Sequence, residues 1–227
     1  MLFNSIEFAI FLPLVFFLYW FVFRGRRAQN VLLLVASYVF YGWWDWRFLF
    51  LILGSSLLDY FVGLGLSHET NRHRRKLLFV LSLTANLGAL GFFKYYNFFV
   101  DSFASAFTVF GQPAGSYNLN IVLPVGISFI TFQALSYSID VYRRNIEPTR
   151  DLTAFLCFVS FFPQLVAGPI ERASCFLPQF LKARQFDRDK AVDGLRQALW
   201  GLFKKMVIAD NCATYANEIY DNTTVRF

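Results

Sequence analysis

The sequence predicts an all-α membrane protein: a polytopic helical bundle with one re-entrant segment and one interfacial amphipathic helix. Three observations lead to this fold class. Apolar residues make up 56% of the 227 residues and charged residues only 16%, whereas a soluble domain carries about a quarter charged residues. The apolar residues form blocks about as long as the roughly 20-residue helix that crosses a bilayer. Most of the basic residues lie between these blocks or after them.

Five apolar blocks are each predicted to form a helix that spans the membrane. They cover residues 8–23, 31–44, 48–66, 77–100 and 121–142. The first block does not have the pattern of a cleavable signal peptide, because Glu7 precedes it and its positive charges follow it. We interpret residues 1–227 as an incomplete, N-terminal part of one membrane domain.

The basic residues of the connecting loops predict the orientation, since positive charge collects in loops that remain in the cytoplasm. The loops at 24–30, 67–76 and 143–150 hold ten basic residues: Arg24, Arg26, Arg27, Arg72, Arg74, Arg75, Lys76, Arg143, Arg144 and Arg150. The intervening loops at 45–47 and 101–120 hold one. The sequence therefore predicts a multi-pass protein with its N-terminus outside.

The last third of the chain departs from the spanning pattern. Residues 152–170 are apolar, but Pro163 and Pro169 interrupt them and basic residues lie on both sides. Such a segment is predicted to enter the membrane and return, beside a cavity that satisfies its backbone polar groups. Residues 187–209 have an apolar stripe at helical spacing and a basic opposite side, which predicts an amphipathic helix at the cytoplasmic interface. A loop is predicted from Asp221.

Polar residues on the fifth block are candidates for a functional site. They are Ser128, Thr131, Gln133, Ser136, Tyr137 and Asp140. The last four recur at helical spacing, so they share one face of a helix, and that face must meet protein or water rather than lipid. This face either coordinates a substrate or joins the bundle by hydrogen bonds, and the spacing favours neither interpretation.

Asp59 is predicted to be a buried polar residue, because it lies deep within the third block. A charge at the centre of a spanning helix costs about 2.5 kcal/mol or more. Asp59 either lines a substrate or proton path or is tied to a neighbouring helix, and we favour the second interpretation.

The three cysteines are scattered, and the basic run at 71–76 has no interleaved aromatic residues. We therefore expect no bound metal and no nucleic-acid partner.

Several stretches resemble one protein family. The principal ones are Val35–Trp44, Leu123–Arg143 and Phe162–Arg172, and Met1–Ser5, Gly91–Phe98 and Lys204–Asp210 agree with them. These stretches are similar, in the same order and over essentially the whole chain, to the membrane-bound O-acyltransferase family. The resemblance points to the bacterial branch that acetylates alginate and related exopolysaccharides.

This resemblance implies an enzyme with a funnel through the membrane. An acyl donor of the acyl-CoA or acyl-carrier type serves as a substrate on the cytoplasmic side, and no tightly bound cofactor is expected. The acyl group, expected to be acetyl, reaches a hydroxyl of an exported polysaccharide outside. The polar face of the fifth block and the re-entrant residues Pro163, Gln164, Gly168 and Pro169 are expected to line the funnel. The resemblance also implies the bacterial inner membrane, contact with lipid, and periplasmic or membrane partner proteins.

The same resemblance implies that the catalytic histidine of the family lies beyond the position that matches Phe227. The sequence has no Trp-His-Gly, and His68 and His73 do not match that histidine. We therefore expect an N-terminal half without a catalytic residue and without activity of its own. The alternatives are a transporter or flippase component and a non-catalytic membrane scaffold. A transporter is expected to have two related halves, and the sequence shows no internal repeat.

Overall fold

The fold is all-helical. The computed structural model describes residues 3–109, 119, 123–165 and 168–223, apart from the side chains of residues 104, 107–109 and 221–223. Within this part of the chain every regular element is a helix and no strand occurs, so the predicted all-α class is confirmed. Among the described residues, Arg47–His68 and Arg72–Phe103 are long and apolar enough to cross a membrane.

Ten α-helices are found in the described residues. They are α1 (Ile6–Phe17), α2 (Arg26–Asp45), α3 (Arg47–His68), α4 (Arg72–Val109), α5 (Ile127–Tyr142), α6 (Leu152–Ser160), α7 (Phe162–Leu165), α8 (Ala173–Leu181), α9 (Arg188–Phe203) and α10 (Asp210–Thr223). π-Helical turns at Leu18–Val22 and Lys204–Ala209 follow α1 and α9. The chain divides into two compact units, one with α2 to α8 and the other with α1, α9 and α10.

The core of the larger unit lies where α3, α5 and α6 meet. Helix α5 packs against both α3 and α4, while α2, α6 and α8 pack against one another. Tyr137 of α5 and Phe155 of α6 are both fully buried, and their ring centroids lie 4.6 Å apart. Phe158, one turn further along α6, is also fully buried. Interlocked aromatic rings of this kind supply much of the buried apolar area of a core.

Helix α6 is short and enclosed by protein. It begins at Asp151, whose carboxylate accepts hydrogen bonds from the backbone N–H of Ala154 at 3.1 Å and from the guanidinium of Arg26 at 2.9 Å. Residues 154–160 are all buried. Nine residues of α-helix extend about 14 Å, less than half of the roughly 30 Å hydrocarbon core of a bilayer. Residues 166 and 167 of the predicted re-entrant segment lie outside the described residues.

Helices α2 and α4 each begin five residues before the predicted block, at Arg26 and Arg72, and three further boundaries also differ from the prediction. Helix α4 continues to Val109, because residues 101–109 contain no glycine or proline that would stop it. Helix α5 begins at Ile127 rather than 121, because Pro124 and Gly126 interrupt the helical backbone, and residues 121 and 122 lie outside the described part. The loop predicted from Asp221 is helical as far as the described residues extend, through 223.

The smaller unit contains α9, which begins with a side-chain cap. The Asp187 carboxylate accepts hydrogen bonds from the backbone N–H groups of Asp189 and Lys190, at 3.1 and 3.2 Å. These bonds, chiefly the one from the Lys190 backbone, lower the pKa of Asp187. Leu195 and Leu199 of the predicted apolar stripe are both exposed. The placement of this helix at a membrane interface stays a prediction.

Candidate functional site

The start of α5 is fixed by a turn that requires glycine. Gly126 has φ of 76°, in the left-handed region, and a Cβ atom at this position would lie 2.3 Å from the carbonyl oxygen of Leu165. Glycine alone satisfies both the backbone conformation and the close approach. The Tyr41 hydroxyl donates a hydrogen bond of 2.5 Å to the carbonyl of Val125. The first turn of α5 is therefore held against α2 and against the end of α7.

Three of the predicted site residues line one narrow cleft. Gln133 lies on α5, Gln164 on α7 and Pro169 just beyond α7. The Gln133 amide donates to the carbonyl of Phe158 at 3.2 Å, which joins α5 to α6. The Gln164 Oε1 atom is buried and accepts no hydrogen bond from the described residues. The open space measures about 10 Å³, room for about one water molecule, so the cleft is too small for an acyl group in this conformation.

The remaining residues of the predicted re-entrant segment, and two serines of α5, have varied surroundings. Ser128 and Ser136 are half-buried, and Pro163 is exposed. Gly168 lies against Gln164: its N–H donates to the Gln164 carbonyl at 3.0 Å, and a Cβ on Gly168 would lie 2.6 Å from the Gln164 Cα. This contact fixes the chain as it leaves α7. These residues do not form one continuous polar surface with the cleft.

Tyr137 and Asp140 lie further along α5 and away from the cleft. Tyr137 is fully buried against Gly63 of α3, where a Cβ would lie 2.7 Å from the tyrosine Cε1 atom. The glycine therefore permits α3 and α5 to approach closely. Asp140 accepts a hydrogen bond from the Asn145 side chain at 3.2 Å, near the C-terminal end of the helix. The predicted polar face thus divides among three environments.

Asp59 joins three helices through a buried polar cluster. Its carboxylate is fully buried. It accepts hydrogen bonds from the Ser82 hydroxyl and the Asn86 amide of α4, the latter at 2.7 Å, and from the Ser138 hydroxyl of α5 at 2.9 Å. Buried charges persist in proteins where such donors replace water. These contacts are those expected of a residue that ties neighbouring helices together.

The partners of Asp59 are not among the residues predicted from the sequence. Ser82 and Asn86 are four residues apart, so they share one face of α4, and this spacing is a visible signal. Ser138 lies beside the predicted polar face, and the structure alone reveals its role. Thr131 of α5 lines a cavity of about 20 Å³ next to Asn86. The buried Oδ1 of Asn86 accepts no hydrogen bond from the described residues, so the cavity suits one ordered water.

Comparison with known proteins reveals relatives along nearly the whole chain. The protein named "Probable alginate O-acetylase AlgI" in Pseudomonas aeruginosa is 40% identical over 223 residues, which are 97% of this chain and 42% of the relative. Its namesake in Pseudomonas putida is 41% identical over 97% of this chain and 45% of the relative. This chain therefore matches a part, less than half, of proteins of the membrane-bound O-acyltransferase family. The resemblance predicted from the sequence motifs is confirmed.

A further relative is named for a different substrate. The peptidoglycan O-acetyltransferase of Helicobacter pylori is 36% identical over 256 residues, covering 99% of this chain and 47% of the relative. The chain thus spans less than half the length of these curated relatives. No family model and no solved structure matches it. These relatives carry the names of O-acetyltransferases, and two long apolar helices among the described residues of this chain fit a membrane protein. Within the described residues, no cluster of three histidine, cysteine, aspartate or glutamate side chains is placed to hold a metal.

Proposed function

We propose that this chain is the N-terminal part of a membrane enzyme that transfers an acyl group, specifically acetyl, to hydroxyls of an exported polysaccharide such as alginate. The observation that carries the proposal is the 40–41% identity with alginate O-acetylases over 97% of the chain. The order of the sequence motifs supports the same assignment. The chemistry breaks the bond between the acetyl carbonyl carbon and its donor and forms an ester with a sugar oxygen, while the hydroxyl proton passes to the departing donor group.

The proposed donor is a cytoplasmic acyl-CoA or acyl-carrier thioester, which acts as a substrate rather than as a resident cofactor. The location in the bacterial inner membrane, with the N-terminus outside, is supported by the basic residues of alternate loops. Periplasmic or membrane partner proteins belong to the same proposal, because the acceptor polysaccharide is exported.

In this proposal α6 and α7 form the re-entrant segment, and α5 supplies the polar wall beside it. The burial and short length of α6 support this role, because a nine-residue helix does not reach across a bilayer. Gln133 and Gln164 meet at the narrow cleft between these elements. The chain contributes the wall of the acyl path, while the catalytic histidine is expected in the part of the family fold that this chain does not match.

The acceptor has a second candidate, peptidoglycan, because of the Helicobacter pylori relative. Identity does not separate the two acceptors: the alginate O-acetylase of Pseudomonas fluorescens is also 36% identical. Both acceptors present sugar hydroxyls to a periplasmic transfer reaction. The favoured acceptor is alginate because five of the compared relatives carry that name, against one named for peptidoglycan.

A chimeric enzyme tests the proposal. We expect that this chain, substituted for the matching 223 residues of the Pseudomonas aeruginosa relative, restores O-acetyl groups to alginate in a strain that lacks the relative. The acetyl content of purified alginate is measured, and that of peptidoglycan in parallel. The chain expressed alone is expected to restore neither. A chimera that reaches the membrane in normal amount but acetylates no glycan contradicts the assignment and favours a transporter or scaffold.

A substitution at Gln164 tests the acyl path within the same chimera. The Gln164 Oε1 has no hydrogen-bond partner among the described residues, so Gln164→Leu should preserve stability while removing a polar group from the cleft. We expect acetyl transfer to fall about tenfold, the effect of losing one hydrogen bond of about 1.4 kcal/mol in the transition state. The matched control is Gln179→Leu on the exposed side of α8, which should retain full activity. Equal activity in both variants places the acyl path elsewhere.

A further inference from the structure

A charged cleft lies where the loop after α3 meets the loop after α5. It has a volume of about 460 Å³, within the usual range of roughly 300–1,000 Å³ for small-molecule sites. Its charged lining residues are Arg75, Arg144, Arg150, Glu69 and Glu147. It belongs entirely to the larger unit and is separate from the Gln133–Gln164 cleft. None of its lining residues belongs to the proposed acyl path.

Arg75 makes the electrostatic potential at this end of the bundle more favourable for an anion. The C-terminal ends of α3 and α5 point their unpaired carbonyl groups here, and the negative end of a helix dipole repels anions. The Arg75 guanidinium donates hydrogen bonds to the carbonyls of Leu66 on α3 and Tyr142 on α5, the second at 2.9 Å. It is nearly buried, at 9% exposed. The charge of Arg75 therefore offsets the repulsion that the C-terminal ends of α3 and α5 would exert on an anion in the cleft.

The loop that carries Arg144 and Arg150 is fixed before any ligand binds. Arg75 holds its beginning through the Tyr142 carbonyl, and the Tyr60 hydroxyl donates to the Arg150 carbonyl at 2.9 Å. The adjoining Asp151 is fixed by its ion pair with Arg26. A loop anchored on both sides pays little conformational entropy when a ligand binds. This is the condition for a preorganised site.

Two cations of the cleft have no side-chain partner among the described residues. Arg144 and Arg150 are exposed, and neither guanidinium forms an ion pair or hydrogen bond with another residue in the described part of the chain. Arg144 also has φ of 62°, an uncommon left-handed conformation for a residue with a side chain, of the kind that clusters at functional sites. Glu69 forms an ion pair with Arg74, in which Oε2 and Nη1 lie 3.6 Å apart. Glu147 thus remains as the single opposing carboxylate of the lining.

We propose that this cleft binds a phosphate-bearing group through Arg144 and Arg150. The planar guanidinium matches the oxygens of a phosphate and can bind two of them at once. The phosphate belongs either to a soluble ligand or to the headgroup of an anionic lipid at the membrane surface, since both present the same chemistry. Where the soluble ligand is coenzyme A, the inference rests on the acyl donor of the proposed function. Binding and acetyl transfer are measured separately, so either can fail without the other.

The test uses the protein in nanodiscs of phosphatidylcholine, with coenzyme A as the soluble probe and calorimetry as the readout. Arg144→Gly removes the guanidinium but keeps the backbone, because glycine readily adopts positive φ, and Arg150→Gln removes the second cation. We expect each variant to weaken binding about tenfold, the loss of one charge-assisted contact. Glu147→Gln should strengthen it about threefold by removing repulsion, on the order of 0.6 kcal/mol. Arg143→Gln is the matched control, an exposed arginine of the same loop outside the cleft lining, and should change affinity by less than about twofold.

The lipid source is tested with phosphatidylglycerol, whose retention on the purified protein is measured by native mass spectrometry. Binding of coenzyme A that depends on Arg144 and Arg150 supports the proposal with a soluble ligand. Retention of phosphatidylglycerol that depends on the same two residues supports it with a lipid headgroup. The proposal is overturned if neither probe responds to these substitutions in folded protein, or if Arg143→Gln weakens binding equally. Thermal unfolding of each variant shows whether it is folded.

Discussion

Replacing Asp59 by alanine is expected to destabilise the protein by about 3 kcal/mol, because three buried donors lose their shared acceptor. The carboxylate is fully buried and accepts hydrogen bonds from Ser82, Asn86 and Ser138, so its removal affects α3, α4 and α5 together. Each such hydrogen bond is worth about 1 kcal/mol, and the unfolded state in a membrane recovers part of this energy. The measurement is the free energy of unfolding in mixed detergent micelles.

Two variants show whether this effect arises from the cluster. Ser138→Ala removes one donor and leaves the carboxylate with two, so we expect a smaller loss of about 1 kcal/mol. Asp193→Ala removes an exposed carboxylate whose contact is with Gln197 on the same helix, and should change stability by less than about 0.5 kcal/mol. If Asp59→Ala is no more destabilising than Asp193→Ala, the cluster does not hold the three helices together.

Replacing Gly126 by alanine is expected to cost about 3 kcal/mol of stability and to lower acetyl transfer in the chimera. A residue with a side chain pays about 1–2 kcal/mol to adopt the left-handed conformation that Gly126 has. The new Cβ would also lie 2.3 Å from the Leu165 carbonyl oxygen, so either α5 or the end of α7 must shift. Such a shift would move Gln133 relative to Gln164. Unfolding in mixed micelles and the acetyl content of alginate measure the two effects.

Gly54→Ala is the matched control for this substitution. Gly54 lies within α3, and a Cβ there would meet no atom within 4 Å. Alanine is preferred over glycine in a helix by about 0.5–1 kcal/mol, so this variant should be slightly more stable than the parent. A destabilisation of similar size in both variants would contradict the argument from the turn at Gly126, because it would show a general cost of adding a methyl group.

The candidate site was predictable in its parts but not in its arrangement. Gln133 and Gln164 are identifiable from the sequence as polar groups in apolar segments, yet their meeting at one cleft depends on the packing of α5 against α6 and α7. Tyr137 shares the predicted polar face with Gln133, but the structure places it against Gly63 of α3. One face of a helix can meet several neighbours along its length, and helical spacing does not specify which neighbour each residue contacts.

The hydrogen-bond partners of Asp59 were likewise not predictable from helical spacing. Its depth in an apolar block makes a hydrogen-bonded cluster expected, since an unpaired charge there is costly. The partners lie 23, 27 and 79 residues away along the chain. Their identity follows from the rotation of α4 and α5 about their axes, which depends on all of the packing contacts together. The spacing of Ser82 and Asn86 reveals a polar face, but not the residue that it meets.

Local patterns in the sequence predict the helical class, the apolar blocks of membrane-spanning length and the resemblance to the family. These properties depend on local composition, on the length of apolar runs and on short motifs, all of which are visible along a single chain. Three features are visible only in the packed structure. The glycine before α5 lies against the Leu165 carbonyl, Asp59 joins three helices, and Arg144 and Arg150 line the same cleft. The physical reason is that each of these features joins residues from different helices or loops. Such contacts depend on how the helices rotate and pack, which no local pattern specifies.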